Sequence, residues 1–216
     1  MSEQKKIIKK NVYNIKIILL GEGEVGKTKL INAYFGNDFT EDNSNTEQPS
    51  RSFDKIEIKN NICYIDIWDT MGQEKYRSMT SNFIKGSHII IFVYDITRKK
   101  TLTELDYWVG LVKEQIDNEN VIFGLVGNKI DLFDNVEVEK EEGEKYAKEI
   151  IAYFSEASAK ENPKGFNKFV NRLIEKLFLN EDNIEKEGNI IEKIENSMKI
   201  EKKNIKKKKK EKNKCC

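Results

Sequence analysis

The segment Gly21–Thr28 restricts the possible folds of this chain more than any other feature. It meets the pattern G-x-x-x-x-G-K-[ST], whose fixed positions are held by Gly21, Gly26, Lys27 and Thr28. An apolar run from Val12 to Leu20 precedes it and predicts a buried strand. From Lys27 to Phe35 apolar residues recur at helical spacing. A glycine loop between a strand and a helix is the context in which this pattern has a physical function.

The loop has the chemistry of a phosphate-binding site. Glycines let the backbone wrap so that successive N–H groups, at Gly23, Glu24 and Val25 among others, point at phosphate oxygens, and the helix adds the positive end of its dipole. We expect Lys27 to reach the β- and γ-phosphates and the Thr28 hydroxyl to bind Mg²⁺. A chance glycine turn before a helix is the alternative, and four fixed positions met in the right context disfavour it.

A second motif indicates which base the phosphates belong to. Asn128-Lys129-x-Asp131 follows a predicted strand, Val121–Val126, and so lies at the carboxyl end of the sheet, where open α/β folds bind ligands. The Asp131 carboxylate only accepts hydrogen bonds and can take two N–H donors from the edge of guanine, whereas adenine offers no such donor pair. The string alone is weak, but about a hundred residues after a phosphate loop it predicts guanine recognition.

A third segment, Asp69 to Gln73, comes at the end of another predicted strand. An acid at Asp69 can hold Mg²⁺ directly or through water. Gly72 can bring its N–H against the terminal phosphate, and Gln73 can orient an attacking water. For this segment alone, an acid–glycine turn without a ligand is an equal alternative.

Strand and helix patterns alternate along the rest of the chain. This alternation predicts an α/β fold with helices on both faces of a mostly parallel sheet of six strands, one of them an antiparallel edge strand made by a hairpin, and about five helices. The further predicted strands are Phe53–Ile58, Ile62–Trp68, Ile89–Tyr94 and Ala152–Phe154. The further helices are predicted from the buried stripe Leu102, Leu105, Trp108, Val109 and Val112, and at 138–151 and 166–179. Residues 40–52 are almost entirely polar and predict a long exposed loop.

Charge divides the chain into a domain, residues 10–180, and a tail, residues 181–216. Residues 201–214 hold nine lysines and two glutamates, while the whole chain carries a net charge of only +1. An acidic body with a basic end does not fit nucleic-acid binding and favours a tail that meets an anionic membrane surface. Nothing approaches the roughly 20 apolar residues of a membrane span.

The single histidine and the internal cysteine are predicted to be structural. Three cysteines, two of them adjacent at the end, form no disulfide framework, which indicates a reducing, cytosolic compartment. Cys63 lies within a predicted strand and reads as a small core residue. His88 opens a buried strand, and packing is the expected role because phosphoryl transfer needs no histidine.

Taken together, these motifs resemble the Rab family of the Ras-like small GTPases over roughly residues 10–180. The strings GEGEVGKT, WDTMGQE, VGNKID and EASAK occur in the order and spacing of that family. Rab character is carried by residues 74–80, 82–86 and 93–97 and by the final Cys215-Cys216. The resemblance implies the G-domain fold and a switch that binds GTP or GDP with Mg²⁺.

Several further residue roles are implied by this resemblance. Thr46, eighteen residues after Thr28 and twenty-two before Trp68, would be the threonine that binds Mg²⁺ and senses the γ-phosphate. Phe39 would pack against the guanine ring. The remaining expected base contacts are Ser158, Ala159 and Lys160, the second through its backbone N–H.

The resemblance also implies a membrane anchor and a set of partners. Cys215 and Cys216 would carry geranylgeranyl groups, and two lipid chains beside a lysine run anchor stably. A polar tail with incidental cysteines is the alternative. The expected location is the cytoplasmic face of an intracellular membrane with a soluble cytosolic pool. The expected partners of this monomer are effectors, an exchange factor, a GTPase-activating protein, and a prenylation escort and membrane-extraction protein; no nucleic acid is expected.

Two departures from the family pattern affect these expectations. Where Rab proteins continue the switch I threonine with Ile-Gly and an aromatic-containing strand, this chain has Glu47 to Arg51. Pro49 removes a backbone donor and Arg51 replaces an expected aromatic residue, so the surface offered to effectors must differ. Met71 stands where the family has alanine, and we hypothesise that it slows hydrolysis or shifts the switch equilibrium.

Two function hypotheses follow. The first is a switch enzyme that regulates vesicle trafficking, with slow unaided hydrolysis, because no arginine is evident in cis to offset the transition-state charge. The second is a GTP-dependent binding module with negligible hydrolysis, against which Gln73 argues. A Ras- or Rho-type signalling role is disfavoured by the Cys-Cys ending and by the absence of a Rho-type insert.

Overall fold

A computed structural model describes residues 11–39, 50–59, 61–70, 82–116 and 120–179. The strands are β1 Val12–Leu20, β2 Ser50–Ile58, β3 Asn61–Asp69, β4 Ile89–Asp95, β5 Ile122–Asn128 and β6 Tyr153–Ala157. The helices are α1 Lys27–Tyr34, α2 Lys99–Thr103, α3 Leu105–Gln115, α4 Lys140–Glu149 and α5 Pro163–Leu179, with a short 3₁₀ turn at Phe133–Asn135. Strands and helices alternate from β4 onward, as the patterns predict.

The six strands form one sheet in the order β2-β3-β1-β4-β5-β6. All neighbouring pairs are parallel except β2 with β3, which are antiparallel. This confirms the predicted mostly parallel sheet with one antiparallel edge strand, and the five described helices confirm the expected fold class.

The alternation of side chains along β1 explains why both faces of the sheet are covered. Ile17 and Leu19 point into the core cluster that α1 and α5 complete, whereas Ile18 and Leu20 point into the cluster with α3. All four side chains are fully buried. A strand buried on both sides carries a continuous apolar run, which is why the sequence alone predicts β1 clearly.

The predicted start of β2 is wrong. Residues 50–52 were expected to belong to the exposed loop, but β2 begins at Ser50. The polar start of β2 is held by backbone pairing with β3, in which Ser50 lies opposite Asp69 and Arg51 opposite Trp68. The Arg51 guanidinium also forms an ion pair with Asp66 across the strands. Backbone pairing and cross-strand charge therefore replace the apolar pattern on which the prediction relied.

The buried stripe predicted for one helix is shared by two. Leu102 lies on α2, while the other four members of the stripe lie on α3, and Glu104 separates the helices. All five stripe residues are buried, so the predicted core face is confirmed. Of the described helices, none is long and apolar enough to cross a membrane.

The two residues expected to be structural have structural surroundings. Cys63 is fully buried in β3 with a free thiol, and burial raises its pKa to about 11. His88 precedes β4, and its Nδ1 accepts a hydrogen bond of 3.0 Å from the backbone N–H of Lys16. His88 therefore joins two strands at the amino end of β4, the opposite edge of the sheet from the predicted site.

Candidate nucleotide-binding site

The predicted motifs meet at one edge of the sheet because the five parallel strands all end there. The glycine loop follows β1, and the last residues of β3, β4 and β5 are Asp69, Asp95 and Asn128. Ser158 comes directly after β6. Segments separated by more than a hundred residues are thus brought together at the carboxyl edge, where α/β sheets bind their ligands.

Two glycines allow the loop to pass close to the neighbouring strands. Gly21 has φ 148°, and a Cβ there would lie 2.2 Å from the carbonyl oxygen of Val93 on β4. Gly26 has φ 93°, and its Cβ would lie 2.4 Å from the amide nitrogen of Asn128. A side chain at either position would push the loop away from the sheet edge.

Lys27 is buried, and its amine lies inside the curve of the loop. Its Nζ donates to the carbonyl oxygens of Gly21, at 2.9 Å, and Glu22, at 2.7 Å. Burial lowers the Lys27 pKa to about 8, although the nearby carboxylates of Asp69 and Glu22 oppose that shift. An ammonium has three N–H donors, so a phosphate oxygen can take the third and restore the charge that burial disfavours.

Thr28 and Asp69 form the part of the site that fits a divalent cation. The Thr28 hydroxyl donates to Asp69 Oδ2 at 2.6 Å. Asp69 is only 2% exposed, burial raises its pKa, and its Oδ1 has no hydrogen-bond partner among the described residues. A buried carboxylate oxygen left without a donor beside a hydroxyl is the kind of hard oxygen pair that Mg²⁺ prefers.

The base-recognition motif is tied to the phosphate loop and to the strand end after β6. The buried Asn128 amide donates to the carbonyl of Val25 at 2.8 Å. Asp131 Oδ1 accepts a bond of 2.6 Å from the Ser158 hydroxyl, which fixes the carboxylate and leaves its remaining acceptor sites for a ligand. Ala159, which follows Ser158 in the chain, is also buried, with 8% of its surface exposed.

The aromatic residue expected against the guanine ring stands beside two lysines. The centroid of the Phe39 ring lies 5.6 Å from Lys29 Nζ and 6.0 Å from Lys160 Nζ. The ring is 41% exposed, so a planar ligand can reach it. Phe39 and Lys160 were predicted to contact the base from distant parts of the chain, and they are neighbours here.

Some predicted residues lie outside the described residues. These are Thr46, Met71, Gly72, Gln73, Cys215 and Cys216. Their roles in the site and in anchoring therefore stay predictions.

Comparisons with known proteins show which family the chain is similar to. Residues 16–178 match the family described as the Ras family. The chain is 33% identical to Ras-related protein Rab-18-B of Danio rerio over 177 residues, 81% of this chain and 86% of the relative. It is 33% identical to Ras-related protein RIC2 of Oryza sativa subsp. japonica over 157 residues, covering 73% and 72% of the two chains. Ras-related protein Rab-12 of Homo sapiens is 34% identical over 151 residues, 69% of this chain and 62% of the relative.

This chain is a Rab-like small GTPase of the Ras family. The membership confirms the family resemblance seen in the motifs, and it fits the meeting of the glycine loop, the Asn128-Lys129-x-Asp131 motif and the Thr28–Asp69 pair at one sheet edge. Members of this family generally bind GTP or GDP together with Mg²⁺, and the Thr28–Asp69 pair suits that ion.

Sequence reasoning missed the contact of Arg98 with the phosphate loop of this GTPase. Arg98 follows β4, and its Nη2 donates to the carbonyl of Gly23 at 3.0 Å. Its Nε forms an ion pair of 3.0 Å with Asp95. An arginine among surface lysines gives no sequence signal; the one signal that could have found this place is Asp95, an acid at the end of a strand, as Asp69 is.

The GTPase also carries an unusual aromatic–cation group on β2 and β3, outside the nucleotide site. The Arg51 guanidinium lies 4.4 Å from the centroid of the Trp68 ring and 4.9 Å from that of Phe53. Asp66 holds both partners, since its Oδ2 also accepts a bond of 3.0 Å from the Trp68 indole N–H. Arg51, the departure noted in the sequence, therefore lies over the aromatic rings of Trp68 and Phe53.

Proposed function

We propose that this chain is a Rab-like switch that cycles between GTP- and GDP-bound states, hydrolyses GTP slowly and recruits effectors that regulate vesicle trafficking. The observation that carries the proposal is the convergence of Lys27, the Thr28–Asp69 pair and the Asp131–Ser158 pair at one sheet edge. The first two suit a magnesium-bound polyphosphate, and the third suits guanine. Family membership supports the GTPase activity in general.

In the proposed cycle a separate set of residues binds the phosphate end of the nucleotide and its Mg²⁺. Thr28, Asp69 and Thr46 would hold Mg²⁺, which neutralises charge on the phosphates when it is bound. Gly72 would donate its N–H to the γ-phosphate, and Gln73 would orient the attacking water. Contacts of the γ-phosphate with Thr46 and Gly72 would order the two segments that effectors read, and hydrolysis would release them.

The contacts of Arg98 support the proposed slow unaided turnover. Its guanidinium contacts the loop through a carbonyl oxygen and is paired with Asp95 and Glu24. An arginine used in this way does not offset charge on the γ-phosphate. We therefore expect a GTPase-activating protein to supply the missing charge, with an exchange factor reloading the switch.

Membrane attachment is proposed for the end of the chain. Two prenylated cysteines, Cys215 and Cys216, would supply a stable anchor, and the lysines of residues 201–214 would add attraction to an anionic leaflet. An escort protein for prenylation and a membrane-extraction protein would then divide the chain between a membrane and the cytosol.

Single-turnover hydrolysis of bound, labelled GTP, with and without cell extract, tests the proposal. The wild-type chain should release phosphate slowly alone and at least tenfold faster with extract, an acceleration well within that of known activators. Gln73→Leu should lose that acceleration. Gln115→Leu, at the end of α3, is the matched control and should behave as wild type. Negligible release under all conditions would instead indicate the GTP-dependent binding module, and fast unaided release would contradict the slow switch.

A further inference from the structure

Glu24 is an unexpected residue for the loop that carries it. The loop has to receive an anion, and Glu24 places a carboxylate within it. Its backbone is also in the left-handed region, at φ 63°, which residues with a Cβ rarely adopt. The loop therefore has two unfavourable features at one position, like charge near the phosphates and backbone strain.

Arg98 is positioned to offset both features. Its Nη1 lies 3.6 Å from Glu24 Oε2, so the guanidinium offsets part of the charge of this exposed carboxylate. Its Nη2 donates to the carbonyl oxygen of Gly23, the residue immediately before Glu24, at 3.0 Å. The first contact acts on the charge of the loop and the second holds its backbone.

The buried carboxylate of Asp95 fixes the position of the Arg98 side chain. Asp95 is 1% exposed, and its Oδ2 accepts from Arg98 Nε at 3.0 Å and from Lys129 Nζ at 2.7 Å. Its Oδ1 accepts from the Thr97 N–H at 3.0 Å and from the Thr97 hydroxyl at 2.7 Å. These bonds outweigh burial and keep the Asp95 pKa below its ordinary value. Lys129 belongs to the guanine motif, so one carboxylate supports both the phosphate loop and the base loop.

We propose that Arg98 is a positioning residue that offsets part of the charge of Glu24 and holds the Gly23–Glu24 segment in the conformation that receives phosphate, and that it thereby slows nucleotide release. The inference rests on the proposed function only in that the site binds a guanine nucleotide. Arg98 lies beside the loop backbone and acts through it, not on the reacting atoms.

Release of a fluorescent GDP analogue from the full-length chain, chased with excess GDP in the presence of Mg²⁺, tests this role. Arg98→Ala should release the analogue about tenfold faster, because the loop loses its bond to Arg98 while Glu24 still strains the backbone and places a carboxylate near the phosphates. Arg98→Lys keeps the charge near Glu24 and should fall between Arg98→Ala and wild type. Lys99→Ala is the matched control, because it removes a neighbouring exposed cation whose partner is Glu142, and it should release GDP as wild type does.

The decisive measurement repeats Arg98→Ala in a chain that also carries Glu24→Gly. Glycine removes both the carboxylate and the backbone strain, so Arg98→Ala should then accelerate release by less than about threefold. A merely structural role of Arg98 would leave its effect unchanged by Glu24→Gly, and that result would overturn the proposal. Equal release from Arg98→Ala and Lys99→Ala would overturn it as well. Hydrolysis plays no part in this readout, so a chain that never hydrolyses GTP would contradict the proposed switch and leave the role of Arg98 standing.

Discussion

The side-chain amide of Asn128 donates a hydrogen bond of 2.8 Å to the backbone carbonyl of Val25, although 103 positions separate the two residues in the sequence. Both are buried, and the bond joins the end of β5 to the middle of the phosphate loop. The guanine motif therefore supports the phosphate loop directly, besides its expected contact with the base. Loss of nucleotide affinity and loss of stability should accompany each other when this bond is removed.

Asn128→Ala tests that expectation. The substitution leaves the Val25 carbonyl unpaired in a buried place, which costs about 1–3 kcal/mol of the free energy of unfolding. Affinity for GDP should fall as well, because the loop loses its support. Urea unfolding and titration with a fluorescent GDP analogue measure the two effects. Asn135→Ala, at an exposed position of the 3₁₀ turn, should change neither, and an Asn128→Ala variant as stable as wild type would contradict the argument.

Gly26→Ala should abolish tight nucleotide binding for two separable reasons. The new Cβ would lie 2.4 Å from the Asn128 amide nitrogen, and the backbone is at φ 93°. Gly36→Ala provides the matched control, because Gly36 also has a positive φ, 75°, but nothing lies within 4 Å of a Cβ there. Gly36→Ala should cost about 1 kcal/mol of stability while GDP binding is kept. Equal loss of GDP binding in both variants would show that the close approach to Asn128 is unimportant.

The sequence makes its most specific predictions about the site where chemistry imposes fixed residues. The glycines, Lys27 and Thr28 can be recognised because few other residues satisfy a loop that wraps phosphate, and Asp131 because only a carboxylate accepts two donors from guanine. The strand β1 is equally clear, since a strand buried on both faces must be apolar throughout.

Contacts that depend on packing could not be read in the same way. The start of β2 at Ser50 is stabilised by pairing with Asp69 and by an ion pair between Arg51 and Asp66, neither of which leaves an apolar pattern. Arg98 reaches the phosphate loop only because β4 lies next to β1 in the sheet. Such tertiary neighbours override local signals, so these residues appear in the sequence as ordinary polar positions.

The Cys63 thiol should resist modification in the folded protein. It is fully buried, and burial raises its pKa to about 11, so at pH 8 only about one thiol in a thousand is the reactive thiolate. In a chain carrying Cys215→Ser and Cys216→Ser, a colorimetric thiol reagent at pH 8 should detect no fast-reacting thiol until denaturant is added, when one should appear. A full equivalent that reacts within seconds in the native protein would contradict the burial of Cys63.

The Arg51 guanidinium should shield the Trp68 indole from solvent. Its centre lies 4.4 Å from the ring centroid, and Trp68 is half-buried, whereas the only other tryptophan, Trp108, is fully buried. Quenching by the neutral quencher acrylamide therefore reports mainly on Trp68 and should increase in Arg51→Ala. Lys55→Ala is the control. It removes another cation of β2, one that lies over the Tyr64 ring, and it should leave the quenching unchanged. The stability cost of Arg51→Ala should stay within about 1 kcal/mol because the ion pair is largely exposed. Unchanged quenching in Arg51→Ala would show that the guanidinium does not cover the ring in solution.

Asp131→Asn should exchange guanine preference for xanthine preference. Ser158 occupies one oxygen of the carboxylate at 2.6 Å and fixes its orientation, so the group facing the ligand is set by residue 131 alone. An asparagine NH₂ placed there meets the exocyclic amino group of guanine, donor against donor, whereas xanthine has a carbonyl at that position and can accept. GDP affinity should fall about a hundredfold or more and xanthosine diphosphate affinity should rise, because a mismatched buried polar pair is strongly disfavoured. Competition between the two diphosphates against a fluorescent GDP analogue measures the change, and Asp134→Asn on the exposed 3₁₀ turn should leave the preference for GDP intact. If Asp131→Asn weakened both diphosphates equally, the carboxylate would be supporting the loop without reading the base.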